Sequence, residues 1–226
     1  MYNNPMRPPM QPETHQIRTC TACGLRYPHT QTNTFGTRCP ACLGETRITL
    51  RIRRKPDPEA KRSLPSATSA APQRLTREFT VLLDNIRSAW NVGSIFRSAD
   101  GFGFAHAYLC GITPTPESEA VTKTSLGAEL TVGWSYHRDA VKLVRGLKKE
   151  GSQVWALEEH ERAIPLSTNH DLRSSLPVIL IVGNEVTGVD PGLLDLSDSI
   201  FHIPMQGGKK SFNVAIAFGI AAYQLK

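Results

Sequence analysis

The chain has 226 residues and a mass of 24.9 kDa, room for one domain plus a small second one, or for two modest ones. Apolar residues make up 40% and charged residues 20%, which excludes a wholly disordered chain and allows a real core. The longest apolar runs, 178–182 and 214–218, fall far short of the roughly 18 residues that a membrane-spanning helix needs, so a soluble, cytoplasmic protein with no membrane partner is expected. The net charge of +6 is unevenly placed: residues 1–77 hold 13 of the 26 Lys and Arg but 4 of the 20 Asp and Glu. Such a basic first third fits an anionic partner, most often nucleic acid, or else a solvated tail.

Residues 1–16 set Pro5, Pro8, Pro9 and Pro12 among polar residues and are expected to be disordered; lacking an apolar stretch after a basic one, they do not read as a secretory signal. Residues 17–53 hold four cysteines and end in a segment where Ile48, Leu50 and Ile52 alternate with Thr and Arg, the period of a half-exposed strand. Residues 54–77 are charged, then rich in Ser, Ala and Pro, the composition of a linker. From residue 78 to 226 the texture is that of an α/β domain. Strands are predicted at 79–83, 107–110, 153–157, 178–182 and 200–203, and helices at 92–101, 137–150 and 211–225. The strands are apolar almost throughout, so both faces are covered, as in a parallel sheet.

Cys20-Thr-Ala-Cys23 and Cys39-Pro-Ala-Cys42 are separated by fifteen residues, a zinc-site spacing. Four thiolates fill a tetrahedral site and leave no open position, so the metal is read as structural and the segment as a zinc ribbon that depends on it to fold. An iron–sulfur cluster is the other group four cysteines could hold. Arg18, Arg26, Arg38, Arg47, Arg51, Arg53 and Arg54, interleaved with Tyr27 and Phe35, suit phosphate contacts and base stacking. The two aromatics could instead cover the small core, Phe35 more readily than Tyr27. His29 is not needed as a fifth ligand. The lone Cys110 reads as a small buried hydrophobe.

Three polar loops follow three predicted strands. After 79–83, Asn91 offers an N-cap and Arg97 stands among Ile95, Phe96 and Ala99, a setting that calls for an anionic partner or a snorkelling side chain. After 178–182, Gly183 and Gly188 bracket the single carboxylate Glu185. After 200–203, Pro204 stops the strand, Gly207 and Gly208 permit close approach, and Ser211 can cap the last helix. Ligands of open α/β sheets bind outside the carboxyl ends of the strands, where all three loops lie. Gly208-Lys209-Lys210-Ser211 lacks the spacing of a phosphate loop, and no GxGxxG occurs.

Taken together, Asn91-x-Gly93-x-Ile95-x-Arg97-Ser98-Ala99, Gly183-Asn184-Glu185-x-x-Gly188 and Ile203-Pro204-Met205-x-Gly207-x-x-x-Ser211-Phe212-Asn213-Val214 resemble the three motifs of the SPOUT superfamily, in its SpoU or TrmH-type branch of RNA 2′-O-ribose methyltransferases; Lys123-Thr-Ser-Leu-Gly-Ala-Glu129 is similar to a segment common there. The resemblance covers about 78–226. Phe212 stands where Leu is usual. It implies a trefoil knot, a homodimer with the site near the subunit interface, and S-adenosylmethionine held by Val182, Gly183, Asn184, Glu185, Gly188, Ile203, Pro204, Met205, Gly207, Ser211, Asn213 and Val214. It also implies that Arg97 is the principal catalytic residue, with Asn91, Glu185, Ser211 and Asn213 beside it, acting on the ribose of a tRNA or rRNA. An RNA-binding protein with an inactive SPOUT domain, and a base methyltransferase of the same fold, remain the competing readings. The basic ribbon on its linker is expected to clamp RNA, and its removal (residues 1–76) to leave a folded, donor-binding dimer.

Overall fold

The computed structural model describes residues 14–29, 36–53, 78–166, 176–209 and 211–225. The expected linker, with Arg54, and Phe35 lie outside these, as do all but Thr14–Gln16 of the N-terminal segment. Those three residues are not unstructured: they open β1 (Thr14–Cys20), which pairs antiparallel with β2 (Arg26–His29) and with β3 (Thr46–Arg53) in a sheet ordered β2-β1-β3. Cys20, Leu25, Tyr27 and Cys39 form its small core. Tyr27 is 1% exposed and its hydroxyl donates to the Arg38 carbonyl, so it serves packing rather than base stacking. Arg18 is likewise buried, held by Thr46 and Gln16.

The second unit alternates strands and helices: β4 (Phe79–Asp84), α1 (Ala89–Gly101), β5 (His106–Cys110), α2 (Glu119–Ser125), β6 (Gly133–His137), α3 (Ala140–Lys149), β7 (Gln153–Leu157), β8 (Ile164–Pro165), β9 (Val178–Val182), α4 (Pro191–Leu196), β10 (Ser199–His202) and α5 (Val214–Leu225). The seven strands are all parallel, in the order β6-β5-β4-β9-β7-β10-β8. Residues along a strand alternate between faces. Val81 and Leu83 of β4 therefore pack with Ile95 and Phe96 of α1 and Phe218 of α5, whereas Leu82 packs with Val144 of α3 and Leu193 of α4. Every residue of β4 and β9 is buried, as a central parallel strand requires. Cys110 is buried too, and burial pushes its thiol well above the usual range. Among the described residues no helix is long and apolar enough to cross a membrane.

The structure moves two expected caps. Ser88, not Asn91, caps α1, its side chain accepting from the Asn91 N–H. Asn213, not Ser211, caps α5: its Oδ1 accepts from the amides of Ala215 and Ile216, so the helix starts three residues later than predicted. The predicted helix 137–150 loses its first residues to β6 and to the Asp139 cap.

The ribbon is seated on the α/β unit. Ile112 packs against its core, the Arg26 amide donates to the Arg138 carbonyl at 3.1 Å, and Arg138 Nη1 donates to the Cys23 carbonyl at 2.8 Å. Phe218 anchors α5 by meeting Phe104 edge to face at 5.1 Å between ring centres. Phe218→Ala is expected to cost about 3–5 kcal/mol, read from urea unfolding.

Candidate functional site

The carboxyl ends of β7, β9 and β10 open into a cleft of about 240 Å³, closed on its far side by the segment leading into α5. Glu185, just beyond β9, organises its rim. Its Oε2 accepts from the Arg87 amide at 2.9 Å, and its Oε1 from the Ser88 amide at 3.1 Å and from Asn91 Nδ2 at 2.8 Å. The carboxylate thus sits at the N-terminus of α1, where unpaired amides and the helix dipole favour an anion. Burial pushes its pKa up, but the bonds from Arg87, its own amide, Asn91 and Ser88 outweigh this and hold it below the ordinary value.

A carboxylate can only accept, so Asn91 must turn its NH₂ to Glu185 and its Oδ1 outward. That oxygen accepts from Asn213 Nδ2 at 3.0 Å, which leaves Asn213 Oδ1 to cap α5. One relay therefore joins the loop after β9 and the start of α5 to the start of α1, which lies more than 90 residues before either along the chain. The loop after β9 is also tied internally: Asn184 and Gly188 exchange backbone hydrogen bonds, and Asn184 Oδ1 accepts from the amides of Val186 and Thr187.

Of the residues expected to hold a ligand, Val182, Gly183, Asn184, Glu185, Gly188, Ile203, Met205, Ser211, Asn213 and Val214 line the cleft. Pro204 and Gly207 do not, and a side chain at Gly207 would meet open space. Asn91 stands one bond behind, through Glu185. Arg97 is not brought to this group: it is exposed on α1 and outside the cleft, seven residues from the exposed Trp90 and so on the same helical face. Its position among apolar neighbours in sequence did not bury it, because those neighbours point to the opposite side of the helix.

Sequence reasoning missed the loop after β7. Leu157, Glu158 and Glu159 line the cleft; Glu158 Oε2 accepts from the Val189 amide at 2.8 Å and its Oε1 from the Glu159 amide at 2.9 Å. Gly188, at φ +74°, passes directly against this carboxylate, and a Cβ there would collide with Glu158 Oε2. Glycine is required both by its backbone conformation and by this approach.

The chemistry of the lining suits a cationic nucleoside. Apolar walls (Val182, Ile203, Val214, Ala217) offer a slot for a flat ring, and the acidic side chains of Glu158, Glu159 and Glu185 border the same space. In the ribbon, the Sγ atoms of Cys20, Cys23, Cys39 and Cys42 all lie within 4.8 Å of one another, with Cys20–Cys42 at 3.5 Å and Cys23–Cys39 at 3.6 Å. A tetrahedral zinc site with 2.3 Å bonds has sulfur–sulfur edges of about 3.8 Å, so the four thiols fit such an ion. His29 instead meets the Gly36 carbonyl.

A cleft at the strand ends of a parallel α/β sheet is the usual place for a ligand in such folds. The chain belongs to the SpoU rRNA Methylase family, whose sequence profile matches residues 78–223. It is 29% identical over 152 residues to a tRNA (guanosine(18)-2′-O)-methyltransferase of Thermus thermophilus, covering 67% of this chain and 76% of that one. It is 28% identical over 151 residues to the 23S rRNA (guanosine(2553)-2′-O)-methyltransferase RlmP of Bacillus subtilis, covering 67% and 59%. An AdoMet-bound rRNA methyltransferase from Sinorhizobium meliloti superposes with a TM-score of 0.61 at 29% identity, over 66% of this chain and 55% of that one. The chain thus spans about half the length of that enzyme, and the family profile matches the α/β unit.

Because its folded pKa is lowered, Glu185 stabilises the fold fully above its unfolded value of about 4.3 and loses that contribution as the pH falls through the folded value. Glu185→Gln is expected to flatten the fall of Tm between about pH 6 and pH 3; an acid limb as steep as that of the wild type would contradict the assignment.

Proposed function

We propose that this protein is an S-adenosylmethionine-dependent RNA 2′-O-methyltransferase, working in the cytoplasm as a homodimer on a tRNA or rRNA. The observation that carries the reading is the convergence of the three motif segments on the Glu185–Asn91–Asn213 relay at the mouth of the cleft. Relatives named as acting on tRNA and on rRNA match equally much of the chain, which supports the substrate class and leaves both RNAs in it. A trefoil knot, expected from the family, would fold the segment before α5 against the loop after β9.

When bound, S-adenosylmethionine supplies the electrophilic methyl group. Val182, Ile203, Val214 and the loop 183–188 would hold its nucleoside portion, with Glu158 and Glu159 close enough to complement a positive charge. The relay keeps α1 and α5 in register with that loop. Arg97 is assigned the substrate: a guanidinium is a poor base but a good bidentate ligand for phosphate, and so can orient the RNA backbone and draw charge from the ribose hydroxyl. Its place fits a dimer. It shares a helical face with Trp90 (65% exposed), and α5, packed beside α1, exposes Ile216 (55%) and Tyr223 (72%). An apolar surface of this kind is ordinarily covered, and covering it with a second copy brings Arg97 to the subunit boundary.

The ribbon is assigned one structural zinc ion on Cys20, Cys23, Cys39 and Cys42, and the exposed Arg38, Arg47 and Arg51 a role in RNA contact. The decisive experiment incubates the protein with methyl-labelled donor and unmodified RNA and then digests the product. Label in alkali-resistant dinucleotides is expected; label in mononucleotides identifies a base methyltransferase, and no transfer an RNA-binding protein. Arg97→Ala is expected to lose at least ~100-fold in kcat with donor Kd unchanged by calorimetry, and full activity in that variant contradicts its role. Metal analysis is expected to give one zinc per chain, lost in Cys39→Ser.

A further inference from the structure

Resting on the reading that the cleft binds S-adenosylmethionine, we propose that Arg26 of the ribbon is a positioning residue for the donor-binding loop, so that donor affinity depends on a side chain outside the methyltransferase domain. The loop after β9 has two sides. Gly188 lines the donor cleft on one, and with Thr187 and Asp190 it faces His15, Ile17 and Pro28 of the ribbon across a narrow crevice on the other. The loop is therefore backed by the ribbon sheet.

Arg26 closes that contact. Its Nε donates to Asp190 Oδ2 at 2.7 Å and its Nη2 to Asp190 Oδ1 at 3.0 Å, with the two side chains 12% and 4% exposed. Desolvation opposes the charged guanidinium, but the hydrogen bonds and charge of Asp190 more than offset it. Asp190 is the last residue of the loop and the cap of α4, accepting from the Gly192 amide. Its own amide donates to Asp84 Oδ2 at 2.8 Å, and Asp84 Oδ1 accepts from Asn85 Nδ2 at 2.7 Å. The Asn85 carbonyl accepts from Asn184 Nδ2 at 2.6 Å, and Asn184 Oδ1 gathers the Val186 and Thr187 amides. The chain of contacts thus runs from the ribbon, through both ends of the loop, to the residues that line the donor cleft.

The electrostatics make Arg26 the keystone. Asp84 and Asp190 are two adjacent buried carboxylates, and burial and then the charge of Asp190 push Asp84 up to about 7. Removing the cation that faces them leaves like charges in a low-dielectric site, which separate or take up a proton. Either response disturbs the Asp190 amide bond and with it the loop. Arg26 opens β2 of the ribbon and is fixed at the seam by its backbone bond to Arg138 of the α/β unit, which in turn holds the carbonyl of the metal-site residue Cys23. The ribbon accordingly acts as a brace for the donor loop as well as an RNA contact. Cutting away residues 1–76 would strand Asp190, contrary to the removable clamp expected from the sequence.

The test titrates S-adenosylhomocysteine into the full chain by calorimetry, and follows amide hydrogen exchange at Val186, Thr187 and Val189 without ligand. Arg26→Ala is expected to weaken binding at least tenfold, raise the donor KM more than it lowers kcat, and speed exchange at those amides. Arg26→Lys is expected to recover part of the affinity. Adding Asp190→Asn to Arg26→Ala, which removes one of the two facing charges and keeps an oxygen for the Gly192 amide, is expected to recover more. Unchanged affinity in Arg26→Ala overturns the proposal. So does a loss that neither Arg26→Lys nor Asp190→Asn relieves, since that marks general damage rather than an unbalanced charge. A wild-type protein that binds no S-adenosylhomocysteine overturns instead the reading of the cleft.

Discussion

The arrangement depends on the carboxylate of Glu185. As an obligate acceptor at the end of α1, it fixes the orientation of Asn91, and Asn91 in turn fixes that of Asn213. The direction of hydrogen bonding is therefore set from one end of the relay to the other, and Asn213 is left with the single oxygen that α5 needs for its cap. The cleft exists because loops after β9 and β10 and the start of α5 are held together at this point. A neutral amide at 185 could donate as well as accept, and the relay would lose its polarity.

The same economy governs the other side of the loop after β9. Parallel sheets present their strand ends as a row of loops, and each loop must satisfy its backbone groups locally or against a neighbour. Here Glu158 takes the Val189 amide, Asp84 takes the Asp190 amide, and Asn184 takes those of Val186 and Thr187. Three side chains from three strand ends thus hold one loop, and Arg26 of the ribbon pairs with Asp190 at its end. A small domain with a core of a few residues thus backs the loop, and its cysteine cluster is linked to Arg26 through Arg138.

Much of this was legible in the residues. The strands 153–157 and 178–182, apolar but for Gln153, appear with those bounds; the paired CxxC motifs converge as their spacing predicts; and ten of the twelve residues expected at the ligand do line the cleft. What was not legible depends on tertiary pairing. Asn91 and Ser88 are both good caps, and only the presence of Glu185 decides that Asn91 turns away. The strand Gly133–His137 is only partly covered, as an edge strand is, and carries no uniform apolar run. Arg18, Arg26 and Tyr27 looked like surface chemistry, yet each is buried by a partner remote in sequence: Thr46, Asp190 and the Arg38 carbonyl. Glu158 and Glu159 could have been found by the rule that found the other loops, since they too follow a parallel strand directly.

The most direct measurement is a crystal structure of the protein with S-adenosylhomocysteine. The account predicts the nucleoside between residues 182–188 and 203–214, with Glu185 still bonded to Asn91 and Asn91 to Asn213. A ligand bound away from that cleft, or one whose entry breaks the Glu185–Asn91 bond, would contradict it.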